Sequence, residues 1–380
     1  MKCIVQIGPY PLTSDCIKGG VEASVYGLAQ EQGKDGEVHV FDLPRKGMED
    51  SVCRDGNVIV HRFLNSGKRQ VSIVKQVKRI IHEIVALNPS ICHIHGTSLY
   101  AFLMYRGLVK RNISVIVTVH GLLLVEKRNL LRSRYSLKYL GQYLYQGWVE
   151  KMFLKQLSMA IVDTEYVKQM ISCYPIKKIP KMHVIPQGIS EVFFSLNCSQ
   201  DSCILLSVGA MGERKGHLLT LEAYGRLRQD GINAKLVIVG TVADQTYYEK
   251  MQQLVSKSEY KEDIQLLPNL PQQELQKLYE CAQVFVLHSE EESQGIAFAE
   301  AMATGMPVVS TIVGGVPFVV HQGKTGLLSE YGNVQAFKEN MKVMLMDAQR
   351  WQAMSSKSKT YANSYHWSMI KSRIDELCID

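Results

Sequence analysis

Along the chain, short apolar runs alternate with segments whose apolar positions recur every three or four residues. CIVQIG, EVHVF, NVIVHRF, ICHIHG, SVIVTVHG, MAIVDT and MHVIPQG fall in the first half, and CILLSVG, KLVIVG, IQLLPN, VFVLHS and PVVST in the second. These runs are rich in β-branched residues and nearly continuous in apolar character, as strands buried on both faces of a parallel sheet are. Val21, Val25 and Leu28 are spaced as one helical face, and so are Val74, Val77, Ile81 and Ile84. Further helices are expected over 216–229, 246–257 and 272–281. Strand, glycine-containing turn and helix in repetition predict the α/β class with doubly wound parallel sheets.

The rhythm restarts near Pro186–Asn197, where the charge balance also changes sign. Residues 1–190 hold 26 Lys+Arg against 14 Asp+Glu, and residues 191–380 hold 17 against 22. Two Rossmann-like domains, 1–190 and 191–362, are therefore expected to face each other across a cleft. Ligands would sit there at the carboxyl ends of the strands. The last segment, 363–380, should carry a terminal helix that crosses back to the first domain.

The chain has 380 residues, 46% of them hydrophobic and 21% charged, which excludes disorder, collagen and coiled coil. No apolar run reaches the ~18 residues that span a bilayer. MKCIVQIGPYPL is too short for a secretory h-region and is broken at Gly8-Pro9, so a cytoplasmic protein is expected. Nine cysteines without a C-x-x-C spacing fit free thiols in a reducing compartment. Within 101–190, 14 basic residues meet 4 acidic ones, so the first half should contact something anionic. Zinc spacing, RNP-type aromatics and a helix-turn-helix signature are all missing, which disfavours nucleic acid. An anionic membrane face fits better, because 127–151 mixes Lys and Arg with Tyr and Trp. A core helix with a solvated basic face is the alternative.

Chemistry gathers in four places. In 284–309 a strand runs into an acidic loop, and a helix opens near Gly295 and stops at Gly305-Met306-Pro307. Glu292 precedes this helix and Glu300 lies inside it. A helix N-terminus seeks phosphate, and two acceptor carboxylates beside it can take hydroxyls of a sugar nucleotide. Solvated helix-end acids are the plainer reading. In SVGAMGERKGH the strand ends at Val208-Gly209, and Arg214 and Lys215 follow on a glycine-rich turn. Two cations there can offset a diphosphate without metal, and the chain has no Asp-x-Asp pair. A solvated basic loop is the alternative. Gly19 and Gly20, after SDCIK, open a helix where a backbone can approach a ligand. His120 in TVHG and His95 in HIHG stand at strand ends and can hydrogen-bond a substrate hydroxyl or serve structure.

Taken together, these segments resemble the family 4 glycosyltransferases, retaining enzymes of the GT-B fold, over nearly the whole chain. The most specific piece is the E-x7-E motif, Glu292-SQGIAFA-Glu300, followed by AMATGMPVV. ERKGH supplies the family's Arg/Lys pair, and GGVE at 19–22 looks like the acceptor-side loop. IPQGI is similar to a linker that usually has Asn where Gln187 stands. VGGVPFVVHQGKTGLL looks like the motif after the last strand.

The resemblance implies a nucleotide-sugar donor, a glycan or lipid-linked acceptor, no metal, and front-face displacement in cell-surface polysaccharide synthesis. It further implies that Glu300 binds the ribose, Glu292 the transferred sugar, and Arg214 and Lys215 the diphosphate. Amides near Gly295, Ile296 and Ala297 would bind sugar and phosphate, Gly20 the phosphate, and His120 the sugar. The base would lie near Asn269 and Leu270. Gln294 stands where many members have Phe, which leaves the sugar open. Another two-domain sugar-nucleotide enzyme (an epimerase or inverting transferase) and a non-catalytic binder on the same fold remain alternatives.

Overall fold

The computed structural model describes residues 3–377 apart from 14–16, 18, 44–48, 65–70, 126–127, 129–130 and 132–135. The chain divides into two compact units. One gathers the N-terminal strand, Ile17–Gln187 and the chain from Trp367 onward; the other is Gly188–His366.

The first unit is built on β1 (Ile4–Ile7), β2 (Val38–Phe41), β3 (Ser51–Asp55), β4 (Val58–Arg62), β5 (Ile91–His95), β6 (Val115–Val119), β7 (Met159–Val162) and β8 (Lys181–Val184). They lie in the order β3-β4-β2-β1-β5-β6-β7-β8. All neighbours are parallel except β3 and β4, a hairpin turned at Gly56, whose φ of +60° suits a glycine. Strand alternation splits this sheet into unlike faces. Val5, Ile7, Cys92, Ile94, Val117 and Val119 enter an apolar core with the helices Val71–Ala86 and Leu99–Val109. Gln6, His93, His95 and Thr118 take the opposite face and are buried as well. Leu28 of helix Gly20–Gly33 and Trp367, Ile370 and Ile374 of helix Trp367–Leu377 close over that polar face. The terminal helix is tied down by Lys371 to Asp35 at 2.6 Å and by Arg373, which donates to the Val184 carbonyl at 2.6 Å.

The second unit carries β9 (Ile204–Val208), β10 (Lys235–Gly240), β11 (Ile264–Pro268), β12 (Val284–Leu287), β13 (Val308–Thr311) and β14 (Gly326–Ser329). Their order is β11-β10-β9-β12-β13-β14, all parallel, so the direction of winding reverses between β9 and β12. Here both faces are apolar. Val284 and Val286 enter one core, Phe285 and Leu287 the other. Leu236 and Ile238 alternate with Val237 and Val239 in the same way.

The pattern of apolar runs finds its strands, with differences. β3 was not expected, because its side chains are mostly exposed and so carry no apolar run. The sheet continues past PVVST to β14, whose GLLS lacks β-branched residues. Val74 lies on the exposed side of its helix, while Ile80 joins Val77, Ile81 and Ile84 inside. Of the SDCIK loop, residues 14–16 and 18 lie outside the described part, as does much of 127–135.

Packing between the first and last helices of the first unit makes a prediction. A Cβ on Gly27 would stand 2.2 Å from the Trp367 ring, whereas one on Gly225, inside helix His217–Gln229, would meet nothing within 4 Å. Gly27→Ala should cost about 1–3 kcal/mol by overpacking, and Gly225→Ala should gain about 0.5–1 kcal/mol. Urea unfolding of both variants checks the sign of each.

Candidate functional site

The switch point of the second sheet supplies two loops. The loop after β9 runs from Gly209 through the 3-10 turn Glu213–Lys215 to Gly216, where helix His217–Gln229 begins. The loop after β12 runs from His288 to Gly295. Gly216 holds a φ of +60°, and a Cβ there would lie 1.9 Å from the His288 carbonyl, so only glycine lets the loops touch. The Glu290 amide donates to the Arg214 carbonyl at 2.8 Å and fixes their register.

This register brings Arg214, Lys215 and Glu292 together. Glu292 is buried, at 3% exposure. Its Oε1 accepts from Lys215 Nζ at 2.5 Å and from Ser289 Oγ at 2.9 Å, and its Oε2 from an Arg214 Nη at 3.4 Å. The same Arg214 nitrogen donates to the Glu291 carbonyl at 3.1 Å. Burial pushes the Glu292 carboxyl up, but the Lys215 and Arg214 charges outweigh it and hold it below its ordinary range. Lys215 runs its stem over Gly209, where a Cβ would stand 3.2 Å from Lys215 Cδ. The underside of the Glu292 loop rests on Gly314 and Gly315. The Gly315 amide donates to the Glu292 carbonyl at 2.7 Å, and a Cβ on Gly315 would lie 1.8 Å from the Ser293 carbonyl.

Gly295 caps helix Ile296–Ala303 at φ +81°, as the sequence places it. The first-turn amides of Ile296 and Ala297 have no partner within the helix, and the residues are partly exposed. Glu300, one turn on, takes a separate partner: Tyr279 Oη donates to its Oε2 at 2.9 Å. Burial raises the Glu300 carboxyl to about 7. Asn269 and Leu270 follow the edge strand β11, with Asn269 exposed in a left-handed conformation at φ +55°.

In the first unit, Gly19 and Gly20 are exposed, and helix Gly20–Gly33 begins there as expected. His120 is buried, and both of its ring nitrogens have partners, Asp163 and His95. Ser289, Tyr279 and the Gly314-Gly315 pair were not singled out for these roles. Ser289 sits three residues before Glu292 and was open to notice; Tyr279 reaches Glu300 from another helix, and no spacing announces it.

Comparison with known proteins adds the lineage. The model for glycosyl transferases group 1 matches residues 189–361, and that for glycosyltransferase family 4 matches residues 18–192. A D-inositol 3-phosphate glycosyltransferase of Corynebacterium urealyticum is 34% identical over 30% of this chain and 27% of its own length. For the corresponding enzyme of Corynebacterium aurimucosum the match spans 43% of that protein, so less than half of either relative is covered. Sucrose-phosphate synthase of Thermosynechococcus elongatus superposes with a TM-score of 0.81 at 18% identity, covering 99% of this chain and 98% of that one. Anabaena HepE in complex with UDP-glucose gives 0.75 at 14% identity, with 99% of each chain covered. These likenesses establish the GT-B fold.

Glu300 titrates in an accessible window. Its pKa lies near 7 in the folded chain against an ordinary 4.5, so the folded state keeps a proton that the unfolded state releases between those values. Stability therefore falls as pH rises from about 4.5 to 7. Glu300→Gln should be more stable than the parent by about 1–2 kcal/mol at pH 8 and equal to it near pH 4. Thermal melts across that range would show a constant difference if the carboxyl were not responsible.

Proposed function

Because the chain belongs to glycosyltransferase family 4, we propose that it moves a sugar from a nucleotide-diphosphate donor to a hydroxyl of a glycan or lipid-linked acceptor. We propose further that it does so with retention at the anomeric carbon, without metal, and in cell-surface polysaccharide synthesis. One observation carries the reading: Arg214 and Lys215 converge on buried Glu292 at the switch point of the second sheet. The helix opening at Gly295 then leads to Glu300.

On this reading Arg214 and Lys215 hold the diphosphate, and the amides of Ile296 and Ala297 add the positive end of a helix. Glu292 accepts from hydroxyls of the transferred sugar, and Glu300 from the ribose. Ribose hydroxyls favour the charged form of Glu300, so donor binding expels its proton. Gly209 leaves room for Lys215, Gly19 and Gly20 meet phosphate, and Asn269 and Leu270 lie against the base. His120 touches the sugar. As the glycosidic bond breaks, negative charge grows on the departing diphosphate, and cations already in place stabilise it without reorganisation. The HepE complex with UDP-glucose supports a sugar nucleotide as the donor class.

The acceptor side points to a membrane surface. Helix Leu137–Leu154 exposes Leu137, Leu144, Tyr145 and Trp148 at 84%, 61%, 45% and 57%, positions that share one helical face. Lys138 and Lys151 belong to the same helix, within residues 101–190, where 14 basic residues meet 4 acidic ones. Among the described residues no helix is long and apolar enough to cross a membrane. Peripheral docking on the cytoplasmic face, through the exposed apolar side chains of this helix and its two lysines, fits these features.

Lys215→Ala should lower kcat by about 10²–10³ with the fold retained by circular dichroism. The assay is transfer or donor hydrolysis with UDP-, GDP- and ADP-sugars in EDTA. Near-normal turnover of the variant or a strict Mg²⁺ requirement contradicts the assignment. An inverted product anomer points to the inverting alternative, a C2-epimerised donor to an epimerase, and binding without turnover to a non-catalytic binder. In a separate measurement, vesicles with rising phosphatidylglycerol should bind the protein more tightly, and Trp148→Glu should weaken that binding about tenfold, a loss of about 1.4 kcal/mol. Binding indifferent to both lipid charge and Trp148 excludes the docking face.

A further inference from the structure

The polar face of the first sheet carries a connected row of side chains. Gln6 lies on β1, His95 ends β5, His120 follows β6, Asp163 follows β7, and Gln187 comes shortly after β8. Gln6 Oε1 and His95 Nε2 are 2.6 Å apart, His95 Nδ1 and His120 Nε2 are 2.9 Å apart, and His120 Nδ1 stands 3.1 Å from Asp163 Oδ2 and 3.2 Å from its Oδ1. Gln187 Nε2 donates to Asp163 Oδ2. The His95 and His120 rings lie 6° from parallel. All five residues are buried.

Such a row is costly to bury, and an apolar layer would pack the same space. The ionisable groups lining the small cavity beside His120 are His93, His95 and Asp163. Burial drives the His95 imidazole well below its ordinary range and His93 down to about 3, so both are neutral near pH 7. Asp163 is the one acid of that lining, and it faces His120 directly. A carboxylate accepts only, so the His120 nitrogen facing it must carry a proton.

We propose that Asp163 is a positioning residue for His120: it holds the proton on Nδ1 and fixes the ring plane, leaving Nε2 as the nitrogen that can exchange its His95 contact for a hydroxyl of the transferred sugar. Gln187 holds the carboxylate in place. The inference rests on the reading that His120 meets that sugar. It adds Asp163 and Gln187, which touch no substrate, to the machinery of the reaction. The logic is that of a buried aspartate orienting a catalytic histidine.

The test uses the full chain labelled with 15N and long-range 1H–15N correlation of the histidine rings, with His120 assigned by its loss in His120→Ala. Asp163→Asn should move the His120 Nδ1 signal away from its protonated position and lower kcat on the order of tenfold or more, with little change in donor KM. Gln187→Asn, a smaller change that keeps a fold even where Asp163→Asn loses one, should move both readouts the same way by less. An unchanged His120 signature in the folded variants overturns the proposal, and so does an altered signature with undiminished kcat. If the parent protein turns over no sugar nucleotide, the transferase reading fails, while the ring spectrum still decides whether Asp163 sets the His120 proton.

Discussion

A carboxylate buried to 3% exposure needs counter-charge, and in this chain that need welds two loops into one object. An unpaired Glu292 would be strongly disfavoured in the interior, so Lys215 and Arg214 must come from the neighbouring strand end to meet it. Everything nearby is arranged to allow the meeting. Gly216 lets the first loop touch the His288 carbonyl, and Gly314 and Gly315 let a third segment slide beneath Glu292. From that ion cluster the loop enters helix Ile296–Ala303 through Gly295 at positive φ. The direction of the helix N-terminus and the position of Glu300 follow from it.

The two units solve the problem of a doubly wound sheet differently. In the second, both faces are apolar, and polar chemistry is confined to the loops at the strand ends. In the first, one face of the central strands is given to Gln6, His93, His95 and Thr118, under two helices. Hydrogen bonds across the strands satisfy most of that layer, which is the condition for burying it at all. An apolar layer would hold the sheet at least as well, so stability alone does not account for it.

These differences decide what could be read from the sequence. Strands such as VFVL and KLVIVG announce themselves because each is buried on both sides and tolerates no polar interruption. β3 stayed hidden because an exposed antiparallel edge has no such constraint, and β14 because its four residues carry no β-branched signal. Glu292, Glu300, Arg214 and Lys215 stand out in the chain by their spacing and by the motif that spacing resembles, but the meeting of Lys215 with Glu292 across 77 residues is not written in either. Tyr279 does not stand out, since it reaches Glu300 across 21 residues, nor does Asp163, which meets His120 across 43. Histidines alternate with Cys92 and Ile94 on β5 and mark a polar face that a reading of continuous apolar runs passes over; which partners satisfy them is settled only by the order of strands in the sheet.

The ion cluster also explains how two neighbouring cations are held together without driving each other apart. Arg214 and Lys215 side by side would disfavour each other and wander; Glu292 between them neutralises part of their charge and holds them in register. On the proposed reading, an arriving diphosphate takes over the role of counter-ion. Each cation then exchanges one oxyanion for another, and little reorganisation is needed as charge develops on the leaving group. The same exchange loosens the hold on the Glu292 carboxylate while Ser289 keeps its hydrogen bond to Oε1. On that same proposed reading the carboxylate that holds the cations becomes an acceptor for sugar hydroxyls once the donor is bound, so donor binding and sugar recognition would be coupled through a single residue.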